Sequence, residues 1–323
     1  MPDDYLYQTF AVGDFYLRLL AILFQALPFL LAGAILSAVV DQWVPPNLLR
    51  RMLPTGKTSG VFAALGAGMI FPVCECGMVP VVGRLIRKGV PVSVAATYLI
   101  ASPLLNPLTL LTTWLAFGGR GALWMLLGRA VLGGLLCLAI GLWISRIDPA
   151  EVLKPEVLTG ENEQTDSSFA NLYPATVQPG TSPLFLRINL FVHGVIRDFL
   201  SVLPFLVLGA VSAAFFTTAV TPRDFAMVAN SSFLGPVVGV ALSQLLCLCS
   251  TTDAFVVMGM GPLPIEGKLA FLIAGPLFDL KLYWVYQSLF QRTFVQALGL
   301  FVISGTLAIT WSLGIVLFFL QRT

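Results

Sequence analysis

Tyr98-Leu99-Ile100-Ala101-Ser102-Pro103-Leu104-Leu105-Asn106-Pro107 recurs without a gap as Phe271-Leu272-Ile273-Ala274-Gly275-Pro276-Leu277-Phe278-Asp279-Leu280, with five of the ten positions identical. The same offset relates two cysteine pairs, Cys74-Glu75-Cys76 and Cys247-Leu248-Cys249, since 247 − 74 = 249 − 76 = 173. Leu27-Pro28-Phe29-Leu30 followed by Gly33-Ala34 returns as Leu203-Pro204-Phe205-Leu206 followed by Gly209-Ala210. Apolar composition alone produces chance matches of Leu and Ile. It does not keep Pro, Cys and Gly in step across three segments. The chain therefore reads as a duplication, with a first membrane repeat over 1–145 and a second over 186–323.

The medium in which those repeats fold follows from composition. Of 323 residues 57% are hydrophobic and only 11% charged, and the mean hydropathy is +0.89. A soluble domain carries roughly 25% charged residues. Eight apolar segments, at about 15–40, 59–84, 90–118, 121–145, 186–219, 232–259, 267–290 and 295–320, are long enough to enter a bilayer. Backbone groups in lipid must bond within their own segment, so helices are expected. The expected fold is an all-α polytopic membrane protein of about eight transmembrane helices, in two four-helix repeats with interrupted helices. Between the repeats, 146–185 is acidic and rich in Pro, Ser and Thr, and it reads as a solvated linker.

Several function classes drop out at this point. Net charge is +2 and no dense Lys/Arg block occurs, so nucleic acid is not an expected partner. Five cysteines in a large membrane chain do not form a secreted disulfide framework. Asp3, Asp4 and Asp14, rather than a basic segment, precede the first apolar run, which reads as a retained helix. The single histidine, His193, reads as interfacial. No Walker-type nucleotide motif occurs, so no cofactor is expected, and the driving force is assigned to an ion gradient or a separate partner. No catalytic residue is expected either. The partners left are the lipid bilayer and a soft metal or metalloid substrate, with room for a homo-oligomer.

Duplicated halves with helices interrupted at corresponding places point to a transporter's binding site. Pro72, Gly77 and Pro80 flank the first cysteine pair, and Pro103 and Pro107 flank Asn106. Proline inside a helix removes a hydrogen bond and breaks or kinks it. Four crossings per half predict parallel repeats; a re-entrant segment would make the count odd and the repeats inverted. Arg50, Arg51 and Lys57 are expected on one face, and Arg84, Arg87, Lys88, Arg146, Lys154, Arg187 and Arg322 on the other. That division favours cytoplasmic termini.

Thiolates prefer soft metals and metalloids to hard cations. In a regular helix, residues two apart point about 200° from each other, so the thiols of a Cys-X-Cys pair converge only where the helix is unwound. Three arrangements compete for Cys74, Cys76, Cys247 and Cys249: a closed structural zinc site, a redox pair, and an exchangeable transport site. Three acids accompany them, Glu75, Asp253 and Asp279, and each is costly in hydrocarbon unless paired or turned toward a cavity. Asp279 aligns with Asn106, and Lys281 is a candidate to neutralise it. Ser250, Thr251 and Thr252 are placed to cap backbone groups freed at the second break. Cys137, without a repeat partner, reads as a packed hydrophobe.

Phe71-Pro72-Val73-Cys74-Glu75-Cys76-Gly77-Met78-Val79-Pro80, followed by Ala101-Ser102-Pro103-Leu104-Leu105-Asn106-Pro107, resembles the signature of the predicted-permease family that includes ArsP-type organoarsenical efflux permeases. The resemblance covers both membrane halves and leaves out the linker. It implies a multi-pass inner-membrane permease exporting thiophilic species, with Cys74 and Cys76 as the family's paired cysteines and Ser102, Pro103, Asn106 and Pro107 as its second motif. Members often carry Ser between the cysteines, where this chain has Glu75. A carboxylate there adds a hard oxygen ligand that suits a cation such as Zn²⁺ better than a neutral trivalent arsenical. The expected function is movement of a thiophilic metal ion or metalloid through a midplane site. That site is lined by Cys74, Glu75, Cys76, Ser102, Asn106, Cys247, Cys249, Asp253 and Asp279. A thiol–disulfide oxidoreductase and a carrier of a small sulfur compound are the alternatives.

Overall fold

The computed structural model describes residues 3–43, 57–69, 75–155, 183–219, 233–260 and 263–320. In the first half lie α1 (Asp3–Trp43), α2 (Lys57–Gly68), α3 (Glu75–Arg87), α4 (Val92–Leu105), α5 (Pro107–Phe117), α6 (Gly119–Leu127), a π-helical turn (Gly128–Leu132) and α7 (Gly133–Ile144). After the short α8 (Pro149–Val152) come α9 (Pro183–Ala219), α10 (Leu234–Leu246), α11 (Asp253–Gly259), α12 (Ile265–Leu277), α13 (Leu280–Tyr286) and α14 (Arg292–Leu320). Among the described residues the β pairing is confined to one isolated bridge, Leu153 to Phe290. Apolar runs without internal water force this outcome, because only helices satisfy their own N–H and C=O groups.

Among the described residues six helical stretches are long and apolar enough to cross a membrane: Gly13–Val40, Val92–Phe117, Gly121–Ile144, Ile188–Phe215, Ile265–Tyr286 and Arg292–Val316. The second apolar segment of each half, by contrast, is split into two short helices, α2 with α3 and α10 with α11. Helix starts keep the offset seen in the sequence: Val92 and Ile265, Pro107 and Leu280, and Gly119 and Arg292 are each 173 positions apart.

Side-chain contacts give the direction of each helix. Trp43 meets Phe191 with ring centroids 5.7 Å apart, and Ser37 Oγ donates to Asp198 Oδ2 at 2.6 Å. Rising numbers in α1 thus meet falling numbers in α9, and the two run antiparallel. Trp143 stacks on Phe294 and Phe301, while Leu136 packs against Gly305, so α7 and α14 are antiparallel as well.

Within the split segment, α2 runs alongside α4: Val61 and Thr97 flank Gly141, and Gly68 abuts the Ser102 backbone. Gly77 then packs on Gly33, and Lys88 Nζ donates to the Val40 carbonyl at 2.8 Å, so α3 runs alongside α1 and ends at the same face. Since α4 begins at that face, α2 and α3 form a re-entrant hairpin. In the second half Gly239 backs on Gly267 and Ser243 faces Gly275, making α10 parallel to α12. The short 260–264 connection returns α11 to the face where α12 starts. Among the described residues each half therefore has three stretches long enough to cross and one re-entrant hairpin, an odd count that fits inverted repeats rather than the parallel arrangement expected from four crossings.

This geometry also corrects the division of basic residues. The ends of α1 and α2 that flank Arg50 and Arg51, the end of α3 with Arg84, Arg87 and Lys88, the end of α7 before Arg146, and the start of α9 at Arg187 all lie at one face. The last helix ends at the opposite face, where Trp311 Nε1 donates to the Phe233 carbonyl and Gly314 lies by Glu266; Arg322 itself lies outside the described residues.

The acidic stretch begins in folded structure. Gln291 N donates to the Val152 carbonyl at 3.0 Å, Lys154 N donates to Leu289, and Val152 and Leu153 are fully buried. Residues 156–182 of the expected linker lie outside the described residues.

Candidate functional site

Breaks in three helices converge on one cleft. At the end of α10, Cys247 adopts a left-handed conformation (φ 48°), the single positive φ outside glycine among the described residues. A residue with a Cβ is uncommon there and strained. The turn ends the helix, and Cys247 and Cys249 consequently both reach the cleft rather than opposite faces. Of the hydroxyls expected to cap freed backbone groups, Thr252 does so, its Oγ1 donating to the Cys249 carbonyl at 3.0 Å, while Thr251 Oγ1 donates to the Cys249 Sγ thiol at 3.6 Å. Cys247 Sγ donates to the Gln244 carbonyl at 3.2 Å.

Facing them, Glu75 and Cys76 open α3 at the tip of the first hairpin, 1% and 2% exposed respectively. Cys74, the residue before, lies outside the described residues. Ile22, Gln25, Ala26 and Phe29 of α1 and Lys281 of α13 complete the lining. The space amounts to about 10 Å³, enough for about one water-sized sphere. Cys76, Cys247 and Cys249 are free thiols. Among the described residues no three His, Cys, Asp or Glu side chains stand close enough together to hold a metal ion.

The second pair of breaks is built alike in both halves. Asn106 caps α5, its Oδ1 accepting from Leu108 N at 2.9 Å. Asp279 caps α13, its Oδ1 accepting from Leu282 N at 2.6 Å. Gln244 Nε2 satisfies the freed Phe278 carbonyl at 2.6 Å, the internal partner that a broken helix requires at membrane depth. Asn106 and Ser102 are buried but do not line the cleft, and Ser102 Oγ has no hydrogen-bond partner.

Asp253 is likewise outside the lining. Its carboxylate accepts from Arg129 Nη2 at 2.7 Å and Nη1 at 3.0 Å, and Arg129 also donates to Thr113 Oγ1 and the Ser250 carbonyl. Arg129 is fully buried in the π-helical turn. It escaped the sequence reading, although one arginine inside the apolar run 121–144 was itself a signal. Lys281, the candidate from sequence to neutralise Asp279, stands 3.9 Å from it; its shorter contact, 3.4 Å, is with Glu75 of the other half.

Relatives of this chain share nearly its full length. A Bacillus subtilis protein named "UPF0718 protein YcgR" is 28% identical over 90% of this chain and 93% of its own. A Streptococcus mutans protein, named as a subunit of a two-component membrane permease complex, is 27% identical over 85% and 87%. No solved structure matches the chain. Residues 12–312, both membrane halves with the cleft between them, match the ArsP_1 predicted permease family, and the chain belongs to that family of multi-pass membrane permeases.

Proposed function

We propose that this permease moves a thiophilic metal ion or metalloid, held by thiols contributed from both halves. The observation that carries the reading is the meeting of Cys76 with Cys247 and Cys249 in one cleft between helix breaks. Cys74, adjacent in sequence, is proposed as the fourth thiol. Thiolates strip hydration from soft ions, and ligands shared between two moving halves can come together to bind and separate to release. Antiparallel α1 and α9 support inverted repeats, the arrangement in which one half rocks against the other around a midplane site. Glu75 supplies charge at that site, Asn106 and Asp279 cap the neighbouring breaks, and Asp253 pairs with Arg129 behind it.

The basic face carries the loops before α2 and after α3, α7 and α8, so the positive-inside rule makes it cytoplasmic. The proposed location is the inner membrane with both termini outside, the reverse of the orientation expected from the sequence. The name of the Streptococcus relative supports a second subunit here, and an ion gradient is the other candidate driving force.

One observation favours a second reading, a carrier of a small anionic sulfur compound: the Lys281 ammonium lines the cleft beside the thiols. Transport of Cd²⁺, Zn²⁺ and phenylarsenite into or out of vesicles tests the main proposal. Cys76→Ser/Cys249→Ser should abolish movement of whichever species the wild type carries, and equal transport by both would remove the thiol mechanism.

A further inference from the structure

The charges at the cleft, Glu75 and Lys281 in its lining and Asp279 next to Lys281 outside it, bear on which thiophilic species it takes. Glu75, Asp279 and Lys281 are all at least nine-tenths buried. Lys281 Nζ stands 3.4 Å from Glu75 Oε1 and 3.9 Å from Asp279 Oδ2. Both separations exceed the ~2.8 Å of a charge-assisted hydrogen bond. Glu75 Oε2 and Asp279 Oδ2 are buried without any hydrogen-bond partner. Two carboxylates thus share one loosely held ammonium, and each keeps an oxygen that lacks a donor.

Elsewhere among the described residues two buried ion pairs are closed. Arg129 grips Asp253 at 2.7 and 3.0 Å, and Arg84 grips Asp198 at 3.0 and 3.2 Å. The contrast is chemical. Guanidinium forks hold their carboxylates in two-point geometry, whereas Lys281 is a point charge on a flexible four-carbon stem. It also lies between the halves, with Glu75 on α3 and Asp279 beside it at the cap of α13. Neither charge of the inter-half pair is repeated: Leu248 stands opposite Glu75 and Leu108 opposite Lys281 at the 173-residue offset.

We propose that Lys281 is a tethered counter-cation, holding Glu75 while the cleft is empty and displaced toward Asp279 when a soft cation enters among Cys76, Cys249 and Glu75. This rests on the thiol-site reading above and narrows the substrate from thiophilic species in general to cations. The entering cation replaces the ammonium at Glu75, while the ammonium moves onto the free Oδ2 of Asp279, whose Oδ1 is already fixed by Leu282 N. With the cation bound, each carboxylate has a positive partner of its own, whereas in the empty state the two share one ammonium. A neutral arsenical brings no charge to make that exchange. An anion would add to two carboxylates that already outnumber the single ammonium. On release, Lys281 returns to Glu75 and so competes with rebinding, which favours turnover over tight retention.

The test uses the full chain in lipid nanodiscs, with equilibrium and dissociation measurements for Cd²⁺, phenylarsenite and thiosulfate. Lys281→Met should bind Cd²⁺ about 10-fold or more tightly and release it more slowly, because the competitor is gone. Lys281→Arg should bind Cd²⁺ several-fold more weakly, because a guanidinium fork holds Glu75 harder; it carries the test alone if Lys281→Met does not fold. Phenylarsenite binding should follow neither change. Cd²⁺ affinity that is unchanged in both variants, or weakened in Lys281→Met, overturns the proposal, as does thiosulfate binding that disappears with Lys281→Met. Cys76→Ser/Cys249→Ser separates the two readings: Cd²⁺ binding equal to wild type in that variant overturns the thiol site itself, whatever the lysine variants do.

Discussion

At the scale of single residues, the buried charges decide more than the thiols do. Arg129 and Asp253 are a closed pair deep in the membrane, and removing one partner strands the other. Arg129→Met should lower stability by about 3–5 kcal/mol. The double variant Arg129→Met/Asp253→Leu should recover most of that loss, since replacing both partners with apolar groups leaves no charge uncompensated. Denaturant titration of the detergent-solubilised protein measures both; equal destabilisation by single and double variants would show that the pair has a role beyond mutual neutralisation. Cys137 offers the contrasting case. It is fully buried away from the cleft, so Cys137→Ala should leave Cd²⁺ binding unchanged while Cys76→Ser reduces it strongly.

At the scale of elements, the re-entrant hairpin depends on close backbone approach. A Cβ at Gly33 would collide with the Gly77 backbone, and one at Gly209 would stand 3.0 Å from Lys281 Cα. Both long helices therefore use a glycine to reach the segments that carry the cleft. Gly33→Val should push α1 from α3 and cost about 1–3 kcal/mol through overpacking. A thermal shift of the purified variant would check it, and an unshifted midpoint would mean the hairpin can retreat freely. Toward the basic face the same packing is tied by Ser37 and Arg84, both bonded to Asp198, and by Lys88 on the Val40 carbonyl. These contacts join α1, α3 and α9.

At the scale of the whole molecule, the antiparallel course of α1 and α9 is directly testable. A Cβ at Gly194 would lie 3.7 Å from Ala38 Cβ, inside the roughly 3.5–4.5 Å span of disulfides. Ala38→Cys/Gly194→Cys should therefore cross-link on oxidation. With a protease site inserted between the halves at 156–182, the oxidised protein should stay at full size on a denaturing gel and separate only after reduction. Parallel helices would yield no such link. If rocking of the halves moves substrate, the oxidised form should also stop transport, and reduction should restore it.

Much of this was legible in the linear chain, for physical reasons that residue identity alone carries. Apolar runs of bilayer length dictate helices, prolines and the Cys-X-Cys pairs mark where those helices break, and a shared 173-residue offset ties the breaks of one half to those of the other. Asn106 and Asp279 were matched by alignment and prove to be the caps of corresponding helices. Direction was not legible, because a split apolar segment of some 26 residues spells a crossing and a hairpin in the same composition. Only packing distinguishes them, through Gly77 on Gly33 and Lys88 on Val40. Charge pairing was equally hidden. Glu75 and Lys281 lie 206 residues apart, and a long-range ion pair leaves no periodic mark in sequence. The chain by itself determined a helical membrane protein whose motifs recur 173 residues apart and whose thiols sit at helix breaks. The tertiary structure alone decided which breaks face one another and which buried charge answers which.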